Sequence, residues 1–208
     1  MLTKKQLEIT LSKLKEVEKP SPSLEQYTIP SKLAADILNY AYLSTDIDGK
    51  KVADFGCGTG RLAIGAALLG AKKTIAIDID QKVIDTAIKN VEIAEKLTKQ
   101  KVRIEFIHSD IVNWMGKVDT IIQNPPFGIQ TGHADRLFLE KALKSAKKIY
   151  SLHRSYEKSR KFIKAFVENR NGKVKNISTY KFRIPHMFRF HKKPKVEYDV
   201  DLFVIEVE

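Results

Sequence analysis

The 208-residue chain predicts an α/β fold with seven strands in a mostly parallel sheet, helices on both faces and an antiparallel C-terminal edge ribbon. Two patterns favour this fold. From residue 51 onward, short β-rich runs alternate with longer helical segments, which is typical of right-handed crossovers and a parallel sheet. The last two β-rich runs have no convincing helix between them. They are therefore expected to pair as an antiparallel ribbon.

The spacing of apolar residues predicts each element in turn. A first helix is expected over residues 3–18, where leucines recur at helical spacing before a Pro-Ser-Pro-Ser stretch. A second helix is expected over 30–43, starting at a proline. The strands are expected at 52–55, 74–78, 102–107, 118–123, 148–152, 174–179 and 200–206, with further helices at 60–69, 80–98 and 134–147.

Length and composition indicate one soluble domain. A chain of 208 residues with 43% apolar and 30% charged residues can bury one α/β core. The longest wholly apolar run, residues 62–71, is too short to span a bilayer, and the N-terminus lacks an apolar leader, so no membrane association and a cytoplasmic location are expected. A single cysteine, Cys57, excludes an intramolecular disulfide and a cysteine-rich zinc site.

The net charge of +12 is concentrated in the last third of the chain. Residues 141–208 hold 18 Lys and Arg against 7 Asp and Glu, which favours a polyanionic partner over charge for solubility alone. Residues 180–195 interleave four aromatics with six cations, a pattern suited to phosphates and unstacked bases. A solvated ribbon loop is the alternative. The expected RNA contacts are Lys181, Arg183, Arg189, His191, Lys192, Lys193 and Lys195; the histidines there lack further ligands, so no metal site is expected.

A glycine-rich loop, DFGCGTG at residues 54–60, lies between the first strand and the following helix. Its glycines let a ligand approach the backbone beside a helix N-terminus. The dinucleotide pattern GxGxxG fails because its last position is Arg61. Asp78 ends the second strand 22 residues after Gly56, where a carboxylate can accept hydrogen bonds from ribose hydroxyls. That acid suits NAD and S-adenosylmethionine alike, and capping of the next helix is its alternative role.

The stretch Asn124, Pro125, Pro126, Phe127 follows the fourth strand. Two acceptors, the Asn124 side-chain oxygen and the Pro125 carbonyl, can direct the lone pair of a planar nitrogen, and the prolines fix that geometry. Phe127 can stack on the base that carries the nitrogen. A simple turn is the alternative, and it is weakened by the position across the topological switch point from the glycine loop.

Several motifs together resemble the small methyltransferase-like adenine-N6 enzymes that modify small-subunit ribosomal RNA in archaea and eukaryotes. They are LEQY (24–27), DFGCGTG (54–60), AIDID (76–80), NPPFG (124–128), YSLHRS (150–155) and FHKK (190–193). The resemblance implies a Rossmann-like class I methyltransferase fold, with S-adenosylmethionine as cofactor and S-adenosylhomocysteine as product. It also implies methyl transfer to a flipped-out adenine held by Asn124, Pro125, Pro126 and Phe127.

The resemblance assigns the cofactor contacts as well. Gln26 and Thr28 reach over the cofactor, Asp54, Gly56, Gly58, Thr59 and Gly60 hold its methionine part, Asp78 its ribose, and Asp110 with Ile111 its adenine. The chain then divides into N-terminal helices over the cofactor site (1–45), a catalytic core (46–152) and a basic RNA-contacting part (153–208). Eukaryotic relatives act with a small zinc-binding activator protein.

Two classes of alternative remain open. The same clamp can hold another planar nitrogen, such as a guanine amino group, an adenine in DNA, or a protein glutamine amide. The chain has no room for the target-recognition domain usual in DNA enzymes, and it lacks the extra N-terminal domain usual in enzymes that act on glutamine. A non-catalytic RNA-binding protein with a methyltransferase fold is the second class, and the intact Asp54, Asp78 and Asn124 argue against it.

Overall fold

The computed structural model describes residues 2–18, 20–21, 24, 26–127, 134–185 and 195–208, with the backbone alone at 183–185 and 195–196. Two helices precede the sheet, α1 (Lys4–Ser12) and α2 (Ser31–Leu43). A capping box closes the start of α1, in which the Thr3 hydroxyl and the Gln6 side chain each accept the other residue's backbone N–H. The N-terminal region therefore begins with a well-capped helix.

The predicted end of α1 is wrong, because the helix stops at Ser12 and does not continue to residue 18. A buried side chain takes over the backbone groups that a longer helix would have used. Asn90 accepts the Lys15 N–H at 2.8 Å and donates to the Lys15 carbonyl at 3.0 Å. A tertiary contact thus overrides the local helical spacing.

Strands and helices alternate through the central part of the chain, as predicted. The strands are β1 (Lys51–Phe55), β2 (Lys73–Asp78), β3 (Ile104–His108), β4 (Val118–Gln123) and β5 (Ala146–Arg154). The helices are α3 (Arg61–Leu68), α4 (Gln81–Thr98) and α5 (Ala134–Ser145), with a short 3-10 helix at Ile111–Asn113. The C-terminal part adds α6 (Glu157–Glu168), β6 (Gly172–Pro185) and β7 (Lys195–Val207).

The strands form one seven-stranded sheet in the order β3-β2-β1-β4-β5-β7-β6. The first five strands pair in parallel, whereas β7 is antiparallel to both β5 and β6. The predicted mostly parallel sheet with an antiparallel C-terminal ribbon is therefore confirmed. The strands that follow β1 in the chain, β2 and β3, lie on one side of it, whereas β4 and β5 lie on the other side. The loops after β1 and β4 therefore meet at a topological switch point.

Helices cover both faces of this sheet, as predicted. One face packs against α1, α2 and α3, with Leu11, Leu38 and Ile64 fully buried. The opposite face packs against α5 and α6 through residues such as Leu139, Ile163 and Val167. Among the residues that the structure describes, no helix is both long and apolar enough to cross a bilayer.

Helix α6 was not predicted from the sequence. It buries Ile163, Phe166 and Val167 on one side and exposes charged residues on the other. The many cations of this segment indicate RNA contact, whereas its apolar residues recur at the spacing of an amphipathic helix. The ribbon strands are also longer than predicted, and β5 begins two residues earlier than expected, at Ala146, because α5 ends at Ser145.

Candidate active site

The glycine loop turns sharply between β1 and α3, as its composition predicts. Gly56, Gly58 and Gly60 have φ of +67°, +52° and +80°, a region that L side chains rarely adopt. A Cβ added at Gly56 would lie 2.9 Å from the Phe138 ring, whereas one added at Gly58 would meet nothing within 4 Å. The backbone at Gly58 therefore borders open space that a ligand can enter.

Asp54 lies beneath this loop at the end of β1. Its Oδ2 accepts the Ala63 N–H at 3.0 Å, and its Oδ1 is buried without a hydrogen-bond partner among the described residues. Burial raises the pKa of Asp54 to about 8, and the bond from Ala63 opposes the rise. A ligand that brings a donor or a positive charge to Oδ1 would favour the ionised carboxylate.

Asp78 joins the end of β2 to the glycine loop. Its Oδ2 accepts the Gly58 N–H at 2.8 Å, and its Oδ1 accepts the Asp80 N–H at 3.0 Å. Burial raises the pKa of Asp78, and these two hydrogen bonds lower it. The side chain that caps α4 belongs to Asp80, which accepts the Lys82 N–H at 2.9 Å. The N-cap residue of α4 is therefore Asp80, and Asp78 contributes a hydrogen bond to the backbone of that residue.

The segment after α1 folds over the loop and is held there by polar side chains. Gln26 donates to Asp80 at 2.8 Å and accepts the Ser21 N–H at 2.8 Å. Arg61, which is 4% exposed, donates to the Ile29 carbonyl at 2.5 Å. The residue that breaks the dinucleotide pattern is thus an anchor for the N-terminal segment.

Asn90 is a site residue that sequence reasoning missed. It is fully buried in α4, and besides its two bonds to Lys15 it donates to the Thr59 carbonyl at 2.9 Å. One amide therefore ties the glycine loop to the N-terminal segment. Its signal in the sequence is a polar residue at a buried position of an otherwise amphipathic helix, three residues after Ala87 and four before Ala94.

The Asn-Pro-Pro-Phe stretch leaves the carboxyl end of β4. Asn124 Oδ1 is buried and has no hydrogen-bond partner among the described residues. The amide nitrogen of the preceding residue has a partner, since Gln123 donates to Ser151 Oγ at 2.9 Å and Ser151 lies 2.8 Å from His153 Nε2. Gln123 Oε1, like Asn124 Oδ1, is buried without a partner among the described residues. The Phe127 ring meets Phe182 edge-on, with centroids 5.8 Å apart.

A cavity of about 270 Å³ connects the glycine loop with Asn124. Three buried oxygens without partners belong to residues that line it, namely those of Thr28, Asp54 and Asn124. Buried acceptors of this kind are rare unless a ligand satisfies them. A nucleoside cofactor with hydroxyls and an ammonium group, together with an amino group on the substrate, would supply the missing donors. The residues present therefore fit S-adenosylmethionine.

Most of the predicted site residues meet at this cavity. Its lining includes Gln26, Thr28, Asp54, Gly56, Gly58, Thr59, Asp78, Asp110, Ile111, Asn124 and Pro126. Among the predicted cofactor and catalytic residues that the structure describes, Gly60, Pro125 and Phe127 lie outside the lining. Asp110 also accepts the Val112 N–H at 3.0 Å and so caps the 3-10 helix.

The predicted RNA contacts are described in part. Lys181 is 65% exposed and forms ion pairs with Asp199 at 2.7 Å and Glu197 at 3.8 Å. Arg189, His191, Lys192 and Lys193 lie outside the described residues, as do the side chains of Arg183 and Lys195.

The fold and the site together define a class I methyltransferase. A family model described as ribosomal protein L11 methyltransferase (PrmA) matches residues 38–125, which span the cofactor-binding part of the core. METTL5 of Danio rerio, named rRNA N(6)-adenosine-methyltransferase, is 35% identical over 95% of this chain and 95% of its own length. The chain therefore belongs to the METTL5 family of rRNA N(6)-adenosine-methyltransferases.

Two archaeal proteins are also similar over the whole chain. MJ0284 of Methanocaldococcus jannaschii, an uncharacterised protein, is 44% identical over 99% of this chain and 95% of its own length. The crystal structure of PH1948 from Pyrococcus horikoshii, a proposed RNA methyltransferase, superimposes with a TM-score of 0.91 at 39% identity and covers 100% of both chains. The C-terminal ribbon thus belongs to the shared fold.

Proposed function

We propose that this protein transfers a methyl group from S-adenosylmethionine to N6 of an adenine in small-subunit ribosomal RNA. Membership of the METTL5 family supports the reaction class. The observation that carries the proposal is Asn124 Oδ1, a buried acceptor without a partner among the described residues, beside the cavity. Leaving such a group unsatisfied costs about 1–3 kcal/mol, so its retention favours a ligand that donates an N–H.

The cofactor would be held by residues on the glycine-loop side of the cavity. Asp78 would accept hydrogen bonds from its ribose, Asp54 would face the ammonium group of its amino-acid part, and Thr28 would cover it from the N-terminal segment. Asp110 and Ile111 would contact its adenine. When bound, S-adenosylmethionine supplies an electrophilic methyl group on a sulfonium.

Asn124 and Pro125 would prepare the substrate nitrogen. The lone pair of an exocyclic adenine nitrogen is delocalised into the ring, which makes that nitrogen a poor nucleophile. Acceptance of its two N–H groups by Asn124 Oδ1 and the Pro125 carbonyl would draw the nitrogen toward a tetrahedral shape, which localises the lone pair and points it at the methyl group. Since prolines fix the backbone, these acceptors need no reorganisation when the substrate arrives. Phe127 would stack on the extruded base, whose unstacking costs a few kcal/mol.

The basic C-terminal part would bind the RNA backbone. Its surplus of Lys and Arg supports phosphate contacts, for which Lys181, Arg183, Arg189, His191, Lys192, Lys193 and Lys195 are the candidates. The resemblance to eukaryotic enzymes further supports a small zinc-binding activator protein as partner, which would cover one of the two sheet edges, β3 or β6. Turnover measured with and without such a protein tests that partner.

The test is methyl transfer from labelled S-adenosylmethionine to purified ribosomal RNA of both subunits, followed by nucleoside analysis. We expect N6-methyladenosine in the small-subunit RNA and no label in the large-subunit RNA. Label on guanine, or label on a protein glutamine in a parallel reaction with intact ribosomal subunits, would contradict the adenine assignment. Cofactor binding without transfer to RNA or protein would favour the non-catalytic alternative.

A further inference from the structure

A row of rings and one cation leads from the Asn-Pro-Pro-Phe stretch to the protein surface. Phe127 contacts Phe182 of β6, and Phe182 pairs in register with Tyr198 of the neighbouring β7. The guanidinium of Arg154 lies 4.5 Å from the centre of the Tyr198 ring and 4.8 Å from that of Tyr156. Five planar groups are therefore arranged one beside the next.

The pleat of the sheet places this row on the face covered by α1 and α2. Phe127, Phe182 and Tyr198 all belong to the apolar cluster on that face. Arg154 shares this side because Leu152, two residues earlier on β5, belongs to the same cluster. The row therefore runs from the Asn-Pro-Pro-Phe stretch, which follows the carboxyl end of β4, to the carboxyl end of β5.

The two ends of the row differ in exposure. Phe182 is 1% exposed and fills the core, whereas Tyr156 is 51% exposed. Arg154 and Tyr198 are half-buried between them. No acidic side chain forms an ion pair with Arg154 in the described part of the chain, so rings alone accompany its charge. A planar cation stacked between aromatic rings, open to solvent on one side, suits a nucleobase and its phosphate.

We propose that Arg154 and Tyr156, supported by Tyr198, form a stacking platform for an unpaired nucleotide next to the methylated adenine. This inference rests on the proposed function, because it assumes an RNA substrate. When one base is extruded toward Asn124, its neighbour loses a stacking partner. A ring and a guanidinium beside the site would replace that partner without selecting a particular base.

The platform is tested by binding of a single-stranded oligoadenylate at fixed salt. Tyr156→Ala should weaken its affinity by about 5- to 140-fold, the effect of removing one base-stacking ring. Tyr156→Phe should retain wild-type affinity because the ring remains. Arg154→Lys, which keeps the charge and loses the plane, should also weaken binding. Affinity for a fully paired RNA duplex should change little in all three.

Phe162→Ala is the matched control. Phe162 is an exposed aromatic on α6 (47%) that packs against Phe166, away from the row. Its replacement should leave oligoadenylate binding unchanged. Wild-type affinity in both Tyr156→Ala and Arg154→Lys, or an equal loss in Phe162→Ala, would overturn the platform. Because this assay measures binding alone, it is independent of the methyl-transfer test, whose failure would overturn the proposed function instead.

Discussion

Two polar side chains on opposite sides of the cavity, Asp78 and Asn124, differ in their hydrogen bonds. On the glycine-loop side, both oxygens of Asp78 accept backbone N–H groups from Gly58 and Asp80. On the other side, the side-chain oxygen of Asn124 has no partner among the described residues. Asp78 therefore holds the glycine loop through internal bonds, whereas Asn124 Oδ1, like Asp54 Oδ1, is an acceptor without a partner in the described part of the chain. Substitution of Asp78 should change stability and affinity together, and substitution of Asn124 should change turnover alone.

The largest effect is expected for Asn124→Ala. Loss of one preorganised transition-state hydrogen bond costs about 2.7–4 kcal/mol, which corresponds to a hundred- to thousandfold loss in turnover. Thermal stability and cofactor affinity should remain close to wild type, because the lost oxygen bonds no described residue. Steady-state methyl transfer and thermal unfolding measure the two properties.

The neighbouring amide provides the matched control for Asn124→Ala. Gln123→Ala breaks a buried hydrogen bond to Ser151 and leaves a cavity, so it should lower the unfolding temperature. Equal destabilisation by the two substitutions would show that Asn124 has a structural role, and the contrast between the two sides would fail.

Asp78→Ala should reduce cofactor affinity about tenfold or more, because each charge-assisted hydrogen bond to the ribose contributes roughly 1.5–3 kcal/mol. It should also lower the unfolding temperature, since the N–H groups of Gly58 and Asp80 lose their acceptor. Isothermal calorimetry and thermal unfolding test both effects. Unchanged affinity would show that Asp78 does not contact the cofactor.

A further prediction concerns pH. The pKa of Asp54 in the folded protein, about 8, lies above its ordinary value of 3.8. Between these values the unfolded chain has lost a proton that the folded protein keeps, so stability due to this group falls as pH rises, by about 1.4 kcal/mol per unit. The unfolding free energy of wild type minus that of Asp54→Asn should therefore decrease from pH 5 to pH 8. A difference that is independent of pH would refute the raised pKa.

The smallest effect is expected from the basic segment. Replacement of Lys192, Lys193 and Lys195 by Ala should lower the slope of log affinity against log salt by about 0.7 for each lost contact to single-stranded RNA. Cofactor affinity should be unaffected. The matched control replaces three exposed lysines of α4, namely Lys82, Lys89 and Lys96. Equal slopes for both triple variants would show that the basic segment makes no specific contact with RNA phosphates, which would leave solubility as its role.

The sequence predicted those features that depend on local pattern. Strand–helix alternation placed Asp54, Asp78 and Asn124 at the ends of β1, β2 and β4, where a parallel sheet brings them together. Asn90 was missed because its bonds join residues 75 and 31 positions away, and no local pattern encodes such pairs. The early end of α1 has the same cause.

The C-terminal part shows a second reason for failure. Its dense positive charge indicated RNA contact but concealed the amphipathic spacing of α6. Arg154 belongs to the motif YSLHRS (150–155) that the resemblance singled out, and Tyr156 follows it, yet the contact of Arg154 with Tyr198 depends on the register of β5 with β7. Strand register is set by tertiary pairing, so sequence reasoning alone could not assemble this row.

The central claim is that Asn124 Oδ1, which has no partner among the described residues, accepts an N–H of the amino group of an adenine. Its most direct test is methyl transfer to two ribosomal RNA fragments that differ only at the methylated position, one with adenine and the other with guanine. The proposed function predicts N6-methyladenosine in the first RNA and no label in the second. Labelling of the guanine RNA, or no label in the adenine RNA, would contradict the adenine-N6 assignment.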